Sequence, residues 1–294
     1  MRVTVFGLGH QGAVTAACLA AAGHEVVGLD DDAARVAALA GARPPEREPG
    51  LGERLREALA AGRLRLTSTP DDGAARCEVL WLAFDTPLAE DDAPRADLVR
   101  ARFDALAPRL PPGTLTVVST QAPVGFVRAL EERWAGAGLR FGCVPENLRV
   151  GDGVRSFEQA ERVVAGVRTA ADRQRVEMLF APLGRRLEWM SPESAEMTKH
   201  ALNAWLATSV AFANELARLC EPAGADADEV ARGLRSDPRV GPRAYLSPGA
   251  PFSGGTLARD LRSLAALAAG QGVEAPLAGA VLASNAAHQR WTLE

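Results

Sequence analysis

The cationic residues of this sequence are nearly all of one kind: of 33 Lys and Arg, only Lys199 is a lysine. A guanidinium keeps its charge at every physiological pH, whereas a partly desolvated amine can give up its proton. Lys199 is therefore the first candidate for chemistry. Asn203 follows four residues later in a stretch that reads as helix, so both side chains project from one face and can reach the same atom. An amine able to move a proton, beside an amide able to hold a polar atom, is equipment for proton-transfer chemistry on a bound ligand.

A second group of candidates opens the chain. Gly7-Leu-Gly9-His10-Gln11-Gly12 follows a run of strand-type residues and leads into an Ala-rich helical stretch, and Asp30-Asp31-Asp32 follows a second strand about 20 residues on. In such a unit the first glycine makes the tight turn, the second lets the backbone approach a pyrophosphate, and the third packs helix against strand. The phosphates then lie on free N–H groups at the helix N-terminus. Gly7, Gly9, His10, Gln11 and Gly12 are the expected cofactor contacts, and Asp30 is expected to accept the adenosine ribose hydroxyls. Three successive carboxylates would repel a 2′-phosphate, which favours NAD over NADP, although Arg35 one helical turn later pulls the other way.

These residues need elements to position them. Strands are expected at Arg2–Gly7, Glu25–Leu29, Val79–Phe84 and Leu115–Ser119, with weaker ones at Arg140–Cys143 and Arg162–Gly166. Strands alternating with helices give an α/β fold, here a doubly wound parallel sheet over about residues 1–190. One long helix, Glu193–Glu221, closed by Pro222 and Gly224, begins a mainly helical domain over 191–294. That domain continues through a helix near Asp228–Arg235, a Pro/Gly-rich loop at Asp237–Gly255 and two terminal helices.

Composition narrows the classes. The chain has 294 residues and a formal charge of −4, so an electrostatic footprint for nucleic acid is absent. The sequence lacks an apolar run of the roughly 18 residues needed to span a membrane, and a cytoplasmic protein is expected. Cys18, Cys77, Cys143 and Cys220 are too scattered for a disulfide framework or a CxxC metal site, and no metal is expected.

Several further segments carry a family resemblance. They are Glu48-Pro-Gly-Leu51, Phe84-Asp85-Thr86-Pro87, Ser119-Thr-Gln-Ala-Pro-Val-Gly125, Pro145-Glu-Asn-Leu-Arg149 and Ala195-Glu196-x-x-Lys199-x-x-x-Asn203. Asn214-Glu215, Asp237-Pro-Arg239-Val-Gly241, Phe252, Gly254 and Asp260 then fall in the same order and spacing. In these the sequence resembles the UDP-glucose/GDP-mannose dehydrogenase family across nearly its whole length. The resemblance implies that Lys199 and Asn203 contact the reacting alcohol and that Glu146 and Thr120 serve at the reaction centre, near the cofactor as well. It further implies that Asp260 partners the amine or a water, and that Thr86 and Glu48 approach the cofactor. Arg239 would reach a sugar across a subunit interface, while Leu148, Gly254 and Gly255 would line the substrate and the Gly249–Gly255 loop would wrap it through backbone N–H groups. A homodimer through the 193–221 helix is expected on the same ground.

Departures matter as much as the match. Where the family loop reads Gly-Gly-Ser-Cys-x-x-Lys-Asp, this sequence has Ser253-Gly254-Gly255-Thr256 with Arg259 before Asp260. The family cysteine traps the first-formed aldehyde for a second oxidation, so Thr256 points to a two-electron reaction. Val150 stands where a second glutamate is common, and Asp85 puts an unexpected charge beside the cofactor turn. Family members also continue into a nucleotide-binding domain beyond the equivalent of Glu294, so a short form with much of the usual nucleotide grip missing is expected. Two rival readings stay open here: a β-hydroxyacid-type dehydrogenase, which would share the Lys-x-x-x-Asn pair, and a catalytically degenerate NAD-binding protein.

Overall fold

A computed structural model describes all residues except 88, 90–93, 147, 254–255 and 292–294. The first compact unit holds Met1–Pro87 and Pro94–Met197, and the second begins at Thr198. In chain order the first unit runs β1 (Arg2–Phe6), α1 (His10–Ala21), β2 (Glu25–Leu29), α2 (Ala33–Ala40), α3 (Leu51–Ala60), β3 (Leu64–Thr67), α4 (Pro70–Ala74) and β4 (Val79–Leu82). It continues through α5 (Ala96–Leu106), β5 (Leu115–Val118), α6 (Phe126–Arg133), β6 (Arg140–Cys143), α7 (Gly153–Glu158), β7 (Arg162–Val167), α8 (Ala170–Phe180) and β8 (Arg186–Met190).

The strands form one eight-stranded sheet in the order β3-β2-β1-β4-β5-β6-β7-β8. Side chains alternate between its faces, as period two requires. Val3, Val5, Val79, Trp81, Leu115 and Val117 pack on one face with α1, α3 and α8. Phe6, Leu80, Leu82 and Val118 pack on the other with α5 and α6. Apolar residues on both faces of the central strands are what a doubly wound sheet needs. Phe6 registers with Leu29 on one side and with Leu82 on the other, so the loops after β1, β2 and β4 leave the sheet at one level. Chain order reverses beside β1, and in open α/β sheets ligands bind at such a switch point.

The expectation of a wholly parallel sheet needs one correction: β7 pairs antiparallel to β6, while the other neighbours are parallel. A parallel return requires a crossover that runs back along the sheet. Among the described residues between Cys143 and Arg162 the only helix is α7, six residues long, and the chain re-enters the sheet from the end it left.

The second unit is helical and contains most of α9 (Pro192–Ala223), then α10 (Ala227–Ser236), α11 (Leu257–Gly270) and α12 (Pro276–Trp291). Its core joins Ala207 and Ala211 of α9 to Phe252, Leu261, Ala278 and Val281. Pro222 does not end α9, as expected from sequence, but lies within its last turn; the chain turns at Gly224, whose φ is +68°. No described helix is long and apolar enough to cross a membrane, and no described group of His, Cys, Asp and Glu could hold a metal ion.

Candidate functional site

The turn after β1 is shaped by its glycines. Gly7 has φ +94°, and a Cβ there would lie 2.8 Å from the Phe84 ring, while a Cβ on Gly12 would collide with the Gly7 carbonyl. The backbone N–H of Leu8 donates to Asp30 at 2.6 Å, which ties the turn to the end of β2. Asp30 is 1% exposed and is further bonded by the Asp32 N–H and by the Arg35 guanidinium, at 2.9 Å to Oδ2. Asp32 caps α2 by accepting from the Ala34 and Arg35 N–H groups. The three carboxylates thus have separate tasks: Asp30 anchors the turn, Asp32 starts a helix, and Asp31 faces a cavity.

That cavity, about 470 Å³, opens at the switch point and is lined by Asp31, Phe84, Asp85, Pro87, Leu98 and Arg102 among others. The Arg102 guanidinium lies 4.7 Å over the Phe84 ring and 3.5 Å from Asp31. A flat aromatic floor, an aliphatic wall and a cation suit the adenosine half of a dinucleotide. The sequence reading missed Phe84, Leu98 and Arg102, because only the pairing of β1 with β4 brings them beside the glycine turn.

His10 does not face outward. Its Nε2 meets Glu48 Oε2 at 2.7 Å, and Glu48 also accepts the N–H groups of Gly151 at 2.9 Å and Gly153 at 2.8 Å. Burial opposes a charge on Glu48, but the His10 bond and the N–H groups of Gly151, Val154 and Gly153 outweigh it and hold the carboxyl below its ordinary range. Glu48, 6% exposed, clamps the loop that carries Glu146 to the first turn of α1. Glu146 itself accepts from the Leu148 N–H at 2.7 Å.

The post-β4 and post-β5 turns are stitched together in the same way. Thr120 Oγ1 accepts from the Phe84 N–H at 2.9 Å and donates to the Leu82 carbonyl, and Thr86 Oγ1 donates to the Gln121 carbonyl. Both hydroxyls bond to the backbone, and Thr120 fixes the turn. Gln11 reaches Ser119, donating to its Oγ at 2.9 Å. Glu196, 5% exposed, caps α6 by accepting from the N–H groups of Gly125 and Val127.

In the second unit Asn203, 5% exposed, donates its side-chain N–H to Asp260 Oδ2, and His200 Nδ1 lies 3.2 Å from Oδ1 of the same carboxylate. Asp260 has no exposed surface. Lys199 is half-buried one turn before Asn203. His200 escaped the sequence reading because nothing in its spacing links it to a residue 60 positions later. Thr256 is exposed at the start of α11, with no capping bond from its side chain; Gly254 and Gly255 lie outside the described residues. Two N–H groups of the loop before them are engaged within the protein: Gly249 N–H donates to Asn214 Oδ1 and Phe252 N–H to Asn285 Oδ1. Arg239 is 89% exposed and paired with Asp237 at 2.7 Å.

Residues 1–184 match the NAD binding domain of the UDP-glucose/GDP-mannose dehydrogenase family, and residues 193–287 match its central domain. The chain is 35% identical to a UDP-glucose 6-dehydrogenase of Pseudomonas aeruginosa, covering 100% of this chain and 67% of that protein. It is 34% identical to a GDP-mannose 6-dehydrogenase of Azotobacter vinelandii, covering 98% and 69%. The solved UDP-glucose dehydrogenase of Pyrobaculum islandicum superposes with a TM-score of 0.88 at 30% identity, over 97% of this chain and 67% of that one. With a glycine turn, a switch-point cavity and a buried Asn–Asp pair already in place, these likenesses have one reading: the chain belongs to the UDP-glucose/GDP-mannose dehydrogenase family and carries its NAD-binding domain.

Proposed function

We propose that this protein interconverts an alcohol with an aldehyde or ketone on a sugar or sugar-nucleotide derivative, with NAD as the redox partner. The carrying observation is the Asn203 amide. It is buried, one N–H is fixed on Asp260, and its oxygen has no partner among the described residues. With the N–H fixed, the oxygen is oriented and available to accept a hydrogen bond from a ligand, and the hydroxyl of a carbinol would supply one. Bound NAD supplies the hydride acceptor. Lys199 takes the hydroxyl proton, Asn203 holds the oxygen, and Asp260 with His200 fixes the amide. Glu146 is held on a clamped loop and orders water, and Thr120 acts by fixing the turn beside it. Arg239 and Leu148 are the residues assigned to the sugar.

The reading includes a homodimer through α9. Trp205, Phe212 and Leu219 recur every seven residues and are 69%, 51% and 62% exposed. A seven-residue repeat returns to one helical face, and leaving three large apolar side chains in water forgoes about 1.5–3 kcal/mol each. Four buried free thiols together with NAD suit a cytoplasmic enzyme.

Lys199→Ala tests the reading. Substrate-dependent NADH formation should fall by about a thousandfold or more, within the range general acid–base groups supply, while NAD affinity by calorimetry stays within twofold. Lys199→Arg should be equally inactive, since a guanidinium cannot release a proton. Turnover retained in either variant would refute the assignment.

A further inference from the structure

The side chain of Asp85 folds over Gly9. A Cβ built on Gly9 would collide with Asp85 Oδ2, and after that atom its nearest neighbour would be Asp85 Cγ at 3.2 Å. Gly9 is the second glycine of the turn, the one whose missing side chain keeps a space open for a pyrophosphate. In this chain a carboxylate stands in that space. Gly9 does not need to be glycine for its backbone, since its φ is −60°. Neither does the carboxylate belong to the local hydrogen-bond scheme: Asp85 makes no hydrogen bond or salt bridge among the described residues, in contrast to Asp30, Asp32 and Glu48 around it. The groups facing it are His10 of α1, Glu46 in the loop before α3, Arg35 of α2 and Asp30 at the end of β2, with Asp31 and Arg102 across the cavity.

We propose that Asp85 is a charge gate on the cofactor site, whose carboxylate must be neutralised by a proton before the dinucleotide pyrophosphate can settle on the glycine turn. The inference rests on the turn being the NAD site. Two phosphate charges brought within contact of a carboxylate would repel it by several kcal/mol if it stayed ionised. Protonation removes the repulsion and turns the same group into a hydrogen-bond donor to a phosphate oxygen. The group is disposed toward this. Burial against the turn raises the Asp85 pKa; His10 and Arg35 oppose the rise, while Glu46 and Asp30 add to it. Binding of a polyanion raises it further, so NAD and one proton bind together. By linkage, NAD affinity is highest where Asp85 is already protonated and weakens as pH rises through its pKa in the free protein.

Calorimetric titration of NAD into the protein, repeated in buffers of different ionisation enthalpy and at several pH values, tests the gate. The wild type should take up close to one proton per NAD above the free-state pKa, with Kd rising by up to tenfold per pH unit. Asp85→Asn should bind NAD about tenfold tighter near neutral pH, with a flat profile and no proton uptake. Zero uptake by the wild type would overturn the proposal without any variant, as would Asp85→Asn binding no tighter than wild type. If the wild type bound more tightly than Asp85→Asn in the presence of Mg²⁺, the carboxylate would be a cation bridge to the phosphates, and the gate would again be refuted. Gly9→Ala separates this outcome from failure of the site itself. Its Cβ displaces only the flexible Asp85 side chain, so the variant should fold and lose NAD affinity. Unchanged affinity in Gly9→Ala would mean the pyrophosphate binds elsewhere, whereas a loss there with no gain in Asp85→Asn would sink the gate alone.

Discussion

His10 and Glu48, 38 residues apart, are joined by a buried 2.7 Å bond, and the Glu48 carboxylate carries the link from the first turn of α1 on to the chain after β6 by accepting the Gly151 and Gly153 N–H groups. One carboxylate thereby fixes both the helix that follows the glycine turn and the loop that carries Glu146. Glu48→Gln replaces one carboxylate oxygen with an N–H₂ that must face either the Gly151 or the Gly153 N–H. The expected cost is about 1–3 kcal/mol in denaturant unfolding, with a weaker NAD affinity alongside. The pH dependence has a definite sign. The folded carboxyl titrates below its ordinary range, so its stabilisation is complete above the unfolded pKa near 4.5 and is lost as pH falls toward the folded value. The variant should lack that part of the acid limb; equal melting curves across pH 3–7, an interval chosen to bracket the usual carboxylate range, would show that the clamp is dispensable.

Asp30 and Arg35 are expected to set the choice between NAD and NADP as a pair. The guanidinium is held on Asp30 and Asp32, at 2.9 and 3.7 Å, so it is committed to carboxylates on the site where a 2′-phosphate would have to be received. Asp30→Ala releases Arg35 and strips the Leu8 N–H of its acceptor. NAD affinity should fall by about tenfold, on the scale of one charged hydrogen bond, while NADP affinity stays level or improves. Isothermal titration with both cofactors decides this: a parallel loss for the two would show that Asp30 supports the turn without reading the ribose.

How much of this was legible in the sequence follows from where each residue sits. The β1–turn–α1–β2 unit could be read because every signal in it is local: buried strand residues, glycines, then an acid. β3 and β8 could not, and they are the two edge strands. Edge strands are short and carry charge outward, and Arg65 in β3 and Arg186 and Glu188 in β8 break the apolar pattern. The Lys199–Asn203 spacing was legible on the helix, and Asp260 came only with the family resemblance; His200, which meets Asp260 across 60 residues of chain, gave no signal. For Thr120 and Glu48 the sequence showed the residue without its partners. Apart from the His10–Glu48 contact, their hydrogen bonds run to backbone groups, which carry no side-chain identity for a sequence pattern to register.

The stripe on α9 gives a direct prediction about assembly. Trp205, Phe212 and Leu219 occupy one face at heptad spacing, so Trp205→Glu with Phe212→Glu would place two charges where two copies of the helix are proposed to meet. Sedimentation should show a dimer for the wild type and a monomer for the double variant. Since both side chains are already in water in a single chain, the substitutions should leave the thermal stability of the isolated fold within about 0.5 kcal/mol. A monomeric wild type at micromolar concentration would reject the interface.

The last prediction concerns how far the oxidation goes. Carrying an aldehyde on to an acid through a covalent intermediate needs a nucleophile with an accessible anion, and a thiol of pKa about 8.5 supplies a few per cent thiolate at neutral pH. The residue at that place is Thr256, exposed at the start of α11, and its aliphatic hydroxyl stays protonated at neutral pH. The thiols elsewhere do not substitute. Cys18, Cys77, Cys143 and Cys220 are all buried, and burial pushes the thiols of Cys18 and Cys143 well above the ordinary value and that of Cys77 up to about 11. Arg259, beside Asp260 at 3.7 Å, offers no proton to exchange either, since its guanidinium remains charged even where burial lowers its pKa. The reaction should therefore stop after one hydride, releasing an aldehyde or ketone, and a carbonyl-trapping reagent should capture it quantitatively. NADH formed per substrate consumed is the deciding number. A ratio of one supports the two-electron reading, whereas a ratio of two with a carboxylic acid product would mean that Thr256, or another group, replaces the thiol after all.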